Sequence, residues 1–254
     1  MEMAERRNAI TELINRKGSV SFAQIKKAFP DVSDMTLRTD LKSLDQDRKI
    51  IRIHGGARSV EYVVGADGLQ VNPERRMRNA ASKEVVAKKA IDLIRPNTTI
   101  FIDSGTTCEE LCTNIAGMPL QIFTCSLSNA IALARSPKSN VFVIGGRMSP
   151  FTLNLNGSHT LTMLQQISFD QAFLGVTAYQ SEAGFTCGSD EEASIKRQVA
   201  KNAGQVIALM DSSKVDKRPT FKAVDLDDID LVVGDDEMPD EFKLECSRTG
   251  VEVI

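Results

Sequence analysis

SDMTLRTDLKSLDQDRKIIRIHGGAR, residues 33–58, reads as a helix that runs into a short two-stranded basic ribbon. At about 100° per residue, Leu37, Leu41 and Leu44 share one narrow face. Met35, Thr39, Lys42 and Gln46 lie opposite, with Arg38 on their flank. One face is built to pack; the other carries side chains that reach base edges or phosphates. Ser33 stands at the N-cap, where its hydroxyl accepts an orphan N–H of the first turn, and Met35 and Thr36 complete the N-terminal end. The tail IIRIHGGAR alternates as a strand, turns at Gly55-Gly56 and carries Arg52, His54 and Arg58. A helix followed by a basic wing is the arrangement by which a small domain enters a DNA groove and grips the flanking backbone.

The residues upstream complete that unit. Residues 3–16 show a helical stripe of Ile10, Leu13 and Ile14, closed by Gly18. Ser21 caps a second helix, FAQIKKAF, in which Phe22, Ile25 and Phe29 repeat at helical spacing before Pro30 and Asp31 break it. Helix, turn, helix, then strands is a winged helix-turn-helix over residues 1–60. In that frame Ser33, Met35, Thr36, Arg38, Thr39 and Lys42 face the bases, and Arg52, His54 and Arg58 face the backbone. Met35 contacts a thymine methyl or fills a crevice; His54 touches phosphate or packs the wing.

Charge is divided unevenly. Residues 1–60 hold twelve Lys/Arg against eight Asp/Glu, a net of +4, and because the whole chain carries −3 the remainder carries −7. A basic head on an acidic body points to double-stranded DNA as the partner of the head alone. No run approaches the roughly 18 apolar residues that span a bilayer, and the charged N-terminus has no signal-peptide core. The reading is therefore cytoplasmic, with no membrane. The five scattered cysteines suit reduced thiols, and Cys108 and Cys112, at i,i+4, suit small core residues. No CxxC pair accompanies the two distant histidines, so no metal site is expected, and no cofactor.

Residues 61–79, with Gly65, Gly68, Pro73 and then ERRMR, read as a linker. From residue 80 to 254 helices alternate with short apolar strands: TTIFID, LQIFTC, VFVIGG, QAFLGV, QVIALMD, IDLVVG and VEVI. This is an α/β domain with a mostly parallel sheet, and runs such as VFVIGG suit burial on both faces. In such sheets ligands bind beyond the carboxyl ends of the strands. Three ends stand out: Asp103, Ser104, Gly105, Thr106 and Thr107, opening a helix; Gly145, Gly146 and Arg147; and Asp211 to Lys214. Glycine, hydroxyls and a helix N-terminus together suit an anion. From spacing alone, Glu192 and Lys196 read either as a surface i,i+4 pair or as a lysine aimed into a pocket, with the surface pair favoured.

These residues resemble the DeoR family of bacterial sugar-metabolism regulators over nearly the whole chain. The resemblance rests on Ser33, Met35, Thr36, Leu37, Arg38, Asp40, Leu41, Leu44 and His54–Ala57 in the head. In the body it rests on DSGTT (103–107), FLG (173–175), EAGFT (182–186), EEA…K (191–196) and DSSK (211–214). It implies a sensor domain resembling ribose-5-phosphate isomerase in fold. A phosphorylated sugar would be surrounded by Asp103–Thr107, Gly145, Gly146, Glu192, Lys196, Asp211 and Lys214, with Lys196 and Lys214 contacting its phosphate or hydroxyls. It also implies a homo-oligomer, dimer or tetramer, that represses a sugar-catabolism operon and is released by its effector. Four positions depart from the family pattern: Thr39 where a second arginine is common, Asp47-Arg48 where Glu-Gly is usual, and Cys125 where asparagine is usual. The competing expectation is an isomerase- or deaminase-like enzyme with an appended DNA-binding head, using Glu192 and Lys196 as acid–base partners.

Overall fold

Two serines start the paired helices of the head. Ser21 Oγ accepts from the Gln24 N–H at 3.2 Å while Gln24 Oε1 accepts from the Ser21 N–H at 2.8 Å, a reciprocal capping box. Ser33 Oγ accepts from the Thr36 N–H at 3.1 Å. The computed structural model describes residues 3–17, 19–47, 49–53, 55–59, 77, 79–115, 117–134, 136–150, 152–217 and 219–254. The chain divides into two compact units, Met1–Pro73 and Glu74–Ile254.

The first unit runs α1 (Met3–Lys17), β1 (Ser19–Ser21), α2 (Phe22–Ala28), α3 (Asp34–Gln46), β2 (Ile50–Ile53) and β3 (Gly56–Ser59). Its core joins Ile10 and Ile14 of α1, Ile25 of α2, and Leu37, Leu41 and Leu44 of α3 with Val20, Ile50 and Ala57 of the strands. The ribbon is three-stranded, ordered β1-β3-β2 and antiparallel, where the sequence reading has two strands. SVS carries a single apolar residue, which is too short a run to signal a strand by alternation. The turn also differs: Gly55 takes the positive φ of 82°, but Gly56 is already in β3. A Cβ on Gly56 would lie 2.2 Å from the Val20 carbonyl oxygen, so glycine there lets β1 pack in. Gly18, His54 and nearly all of the expected linker lie outside the described residues.

The second unit contains α4 (Ala80–Ile91), β4 (Thr99–Ile102), α5 (Thr106–Asn114), β5 (Gln121–Thr124), α6 (Leu127–Leu133), β6 (Asn140–Val143), β7 (Arg147–Met148), β8 (Leu155–Asn156), α7 (Ser158–Leu164), β9 (Gln171–Gly175), β10 (Ala178–Gln180), β11 (Gly184–Cys187), α8 (Asp190–Asn202), β12 (Val206–Leu209), β13 (Phe221–Val224), β14 (Leu231–Val233), α9 (Asp240–Thr249) and β15 (Glu252–Val253). Seven strands form one parallel sheet, ordered β15-β14-β12-β9-β4-β5-β6. Its central strands are buried on both sides, because successive side chains point to opposite faces. Ile100, Ile102, Phe173, Ile207 and Leu209 pack against α4 and α5. Phe101, Ala172, Leu174, Val206 and Ala208 pack against α7, α8 and α9. Cys108 and Cys112 are buried in the first of these cores, and all five cysteines are free and buried.

One expectation fails at the sheet edge. VFVIGG was expected to be buried on both faces, yet β6 is the last strand, and Phe142 and Val143 remain 45% and 40% exposed. An edge strand and a central strand carry the same apolar signal in sequence. Further elements were not anticipated: the β7–β8 hairpin, the antiparallel sheet β10-β11-β13, and α9, which buries only Phe242 and Cys246.

Candidate functional site

In the head, α3 sorts its side chains as the periodicity demands. Leu37, Asp40, Leu41 and Leu44 are buried, while Met35, Arg38, Thr39 and Lys42 are exposed, Met35 by 77%. Ser33 is exposed but shares its hydroxyl with Thr36 Oγ1 at 2.8 Å as well as capping the helix, so both residues shape the helix start. Thr39 Oγ1 donates to the Met35 carbonyl at 2.9 Å. The Arg38 guanidinium lies 4.2 Å from the Phe22 ring centre, a cation–π contact that orients it beside α2. Arg52 is exposed on β2, and its N–H donates to Asp45 Oδ1 at 2.9 Å. Arg58 pairs with Ile51 in the ribbon, but its side chain, like His54, lies outside the described residues.

Two supports of this face were not read from the sequence. Asp40 is buried, and its oxygens accept from Arg6 Nε at 2.6 Å and Arg7 Nε at 2.9 Å, which ties α3 to α1. Burial pushes the Asp40 pKa up, but the two guanidiniums outweigh it, and the carboxyl lies below its ordinary value. Lys26 Nζ donates to the carbonyls of Pro30 at 3.1 Å and Val32 at 2.7 Å, closing the turn between α2 and α3.

In the second unit, the three unusual strand ends do share the carboxyl edge of the sheet: Asp103–Thr107 follows β4, Gly145-Gly146 follows β6, and Asp211–Lys214 follows β12. At the centre, Asp103 Oδ1 accepts from the Ser104 N–H at 2.7 Å and Oδ2 from the Gly175 N–H at 3.1 Å. Lys196 Nζ donates to Asp103 Oδ2 and, at 2.6 Å, to the Gly175 carbonyl. Lys196 is buried, which corrects the surface-pair reading favoured by spacing. Burial pulls its pKa down, but Asp103 and, more weakly, Glu192 overcome this, so its pKa lies above the ordinary lysine value and the ammonium persists. A Cβ on Gly175 would lie 2.5 Å from the Ser104 carbonyl oxygen, so the loop rests directly on β9. Gly105 opens α5 with φ 117° and no side-chain cap, which leaves its first turn facing the edge.

Around this loop stand three asparagines that the sequence reading did not single out. Asn129 Nδ2 donates to the Asp103 carbonyl at 2.7 Å, and Asn154 Nδ2 donates to Ser104 Oγ at 2.7 Å. Asn156 follows on β8, on the same face as Asn154. Gly146 packs against that hairpin: a Cβ there would lie 2.7 Å from the Asn156 carbonyl oxygen and 2.1 Å from Thr160 Oγ1. Arg147 bonds Glu191 at 2.6 and 2.8 Å, linking the hairpin to the first turn of α8. The signal available in sequence was N-x-N followed by Gly157, which places both amides on one side of a strand.

The DSSK segment forms a separate group. Asp211 Oδ1 accepts from Asn79 Nδ2 at 2.9 Å and from the Ser213 N–H at 3.1 Å, while Lys214 Nζ is 3.8 Å from its Oδ2. Burial pushes the Asp211 pKa up, and Ser213, Lys214 and Asn79 together bring it below the ordinary carboxylate value. Asn79 is the N-cap of α4, so this segment pins the first helix of the second unit. Paired strands lie about 4.8 Å apart, which puts the ends of β6 and β12, four strands apart, about 19 Å from each other.

The chain matches the family model of the DeoR-like helix-turn-helix domain over residues 6–63 and that of the DeoR C terminal sensor domain over residues 78–236. It belongs to the DeoR family. It is 32% identical to a lactose phosphotransferase system repressor of Staphylococcus aureus over 100% of both chains. It is 29% identical to the HTH-type transcriptional regulator GolR of Listeria innocua, over 92% of this chain and 91% of that one. These are DNA-binding transcriptional regulators, not enzymes, so the isomerase or deaminase alternative has no support among them. In partial overlap, the chain is also similar to a ribose 5-phosphate isomerase A of Methanocaldococcus jannaschii, at 17% identity and a TM-score of 0.40. The overlap covers 54% of this chain and 55% of that one, so the chain spans about half the isomerase's length. The DeoR-family head carries an exposed reading helix, and the sensor domain carries a loop held by a buried ion pair.

Proposed function

We propose that this DeoR-family regulator represses a sugar-catabolism operon and is released from its operator by a phosphorylated sugar bound at the Asp103–Thr107 loop. The observation that carries the reading is the uncapped start of α5, held at the carboxyl edge of a parallel sheet by the Asp103–Lys196 pair. Unsatisfied N–H groups at a helix start favour a dianion. Lys196 adds positive potential without leaving its carboxylate, and Glu192, one turn before it, steadies the ammonium. Asp211 and Lys214 act from the β12 flank, where the bonds of Asn79 to Asp211 and Ser213 link the edge to α4 and so to the start of the sensor domain. In the head, Met35, Arg38, Thr39 and Lys42 read bases, Ser33 and Thr36 set the helix start against the backbone, and Arg52, His54 and Arg58 hold phosphates. The protein works in the cytoplasm as a homo-oligomer, dimer or tetramer. The apolar side chains exposed on edge strand β6 support self-association.

The test is a thermal-shift screen against phosphorylated sugars and their unphosphorylated counterparts. A ligand at 100 times its Kd stabilises the fold by about 2.7 kcal/mol. A shift confined to one or two phosphorylated sugars supports the proposal and names the effector. No shift with any of them overturns the effector reading and leaves the DNA-binding role standing.

A further inference from the structure

The β7–β8 hairpin carries polar atoms that nothing in the fold satisfies. Asn154 Oδ1, Asn156 Oδ1 and Thr152 Oγ1 are buried without a hydrogen-bond partner, although Asn154 and Asn156 are only 4% and 5% exposed. Leaving a buried acceptor without a donor is unfavourable, and native folds seldom do so without a reason. Asn154 is held in place from its other side, its Nδ2 bonded to Ser104 of the proposed effector loop. Asn156 lies two residues on, about 6.8 Å along the strand and on the same face.

We infer that Asn154 and Asn156 read the hydroxyl groups of the effector. This inference rests on the sugar-phosphate reading and adds to it the orientation of the ligand. An amide oxygen only accepts hydrogen bonds, and a phosphate dianion also only accepts, so phosphate cannot satisfy these two atoms. A carbon chain bearing several hydroxyls supplies donors at the required separation. The phosphate therefore lies toward the start of α5 and Lys196, and the hydroxyl-bearing end lies under the hairpin. The ion pair that links the hairpin to α8, Arg147 with Glu191, is solvent-exposed, and such pairs contribute little to stability. Once a donor is in place, its bond forms away from bulk water, where loss of a single hydroxyl is strongly discriminated.

Asn156→Ala and Asn154→Ala test this in the full-length protein. Calorimetric titration with ribose 5-phosphate, fructose 6-phosphate, galactose 6-phosphate and glucosamine 6-phosphate finds the tightest probe for the unaltered chain, and inorganic phosphate is titrated as its competitor. The expected result is about a tenfold loss of affinity for that probe in each variant. The affinity of inorganic phosphate stays unchanged, and the melting temperature of the ligand-free protein is not lowered for Asn156→Ala, because an unsatisfied acceptor has been removed. Unchanged probe affinity in both variants overturns the inference. So does a parallel loss for inorganic phosphate, which marks a structural role. If the unaltered protein binds none of the four probes, the sugar-phosphate reading itself fails at that first step and the inference falls with it.

Discussion

In the head, Asp40 sits between α1 and α3 with each carboxylate oxygen bonded to an arginine Nε. In the sensor, Asp103 is as deeply buried, with Lys196 and Gly175 around it, yet its surroundings are incomplete. Asn129, Asn154 and Asn156 near that loop each keep a buried amide oxygen without a donor. Among the described residues, every such unsatisfied side-chain atom lies in the second unit. The same device, a motif aspartate clamped by cations, thus serves two ends. In the head it completes a rigid platform whose exposed face meets a partner. In the sensor it holds a polar loop beside which buried acceptors are left without a donor.

The largest test of that contrast is Lys196→Met. Removing one member of a buried ion pair leaves an uncompensated charge and costs about 3–5 kcal/mol. Denaturant unfolding should show a loss of that order, and Asp103→Asn combined with Lys196→Met should recover much of it. If the single substitution is neutral, the pair does not organise the loop.

Asp40→Asn sharpens the other side. Hydrogen bonds to charged groups contribute about 1.5–3 kcal/mol, so the head should unfold earlier by that amount while the response to ligand persists. Because the folded pKa of Asp40 is lowered, its contribution is present above the ordinary carboxylate pKa of about 3.9 and is lost as pH falls through the lower, folded value. Acid titration of head stability should therefore show a drop in the unaltered protein that Asp40→Asn lacks. The same acid profile in both would contradict the assignment.

Arg38→Ala probes the platform's exposed face. Loss of a base contact should reduce operator discrimination by about 1–3 kcal/mol, seen as a larger loss on operator than on random DNA. Equal weakening on both would reduce Arg38 to a backbone contact oriented by Phe22.

What was legible in the sequence follows from range. The face of α3, the caps at Ser21 and Ser33 and the alternation of strands with helices all depend on residues within a turn or two of each other, and the structure shows them. The three motif-bearing strand ends do lie on one edge. What was not legible depends on partners distant in sequence: Arg6 and Arg7 with Asp40, Lys196 with Asp103, Asn79 with Asp211. Spacing alone favoured a surface Lys196, and only the family resemblance pointed inward. The exposure of β6 was unreadable because sheet order, not composition, decides which strand is last. Strand β1 and the β7–β8 hairpin are too short to leave a periodic signal.

The most direct test is operator affinity with and without effector. An operator selected from a random-sequence pool is labelled, and its binding is followed by fluorescence anisotropy at fixed salt. Full release, from 99:1 to 1:99, needs about 5.5 kcal/mol of differential binding. The account predicts that the phosphorylated sugar giving the thermal shift weakens operator binding by at least about tenfold, or about 1.4 kcal/mol, and that its unphosphorylated form leaves binding unchanged. Operator affinity that stays the same at saturating sugar phosphate would contradict the account, because a ligand that binds both states equally shifts nothing.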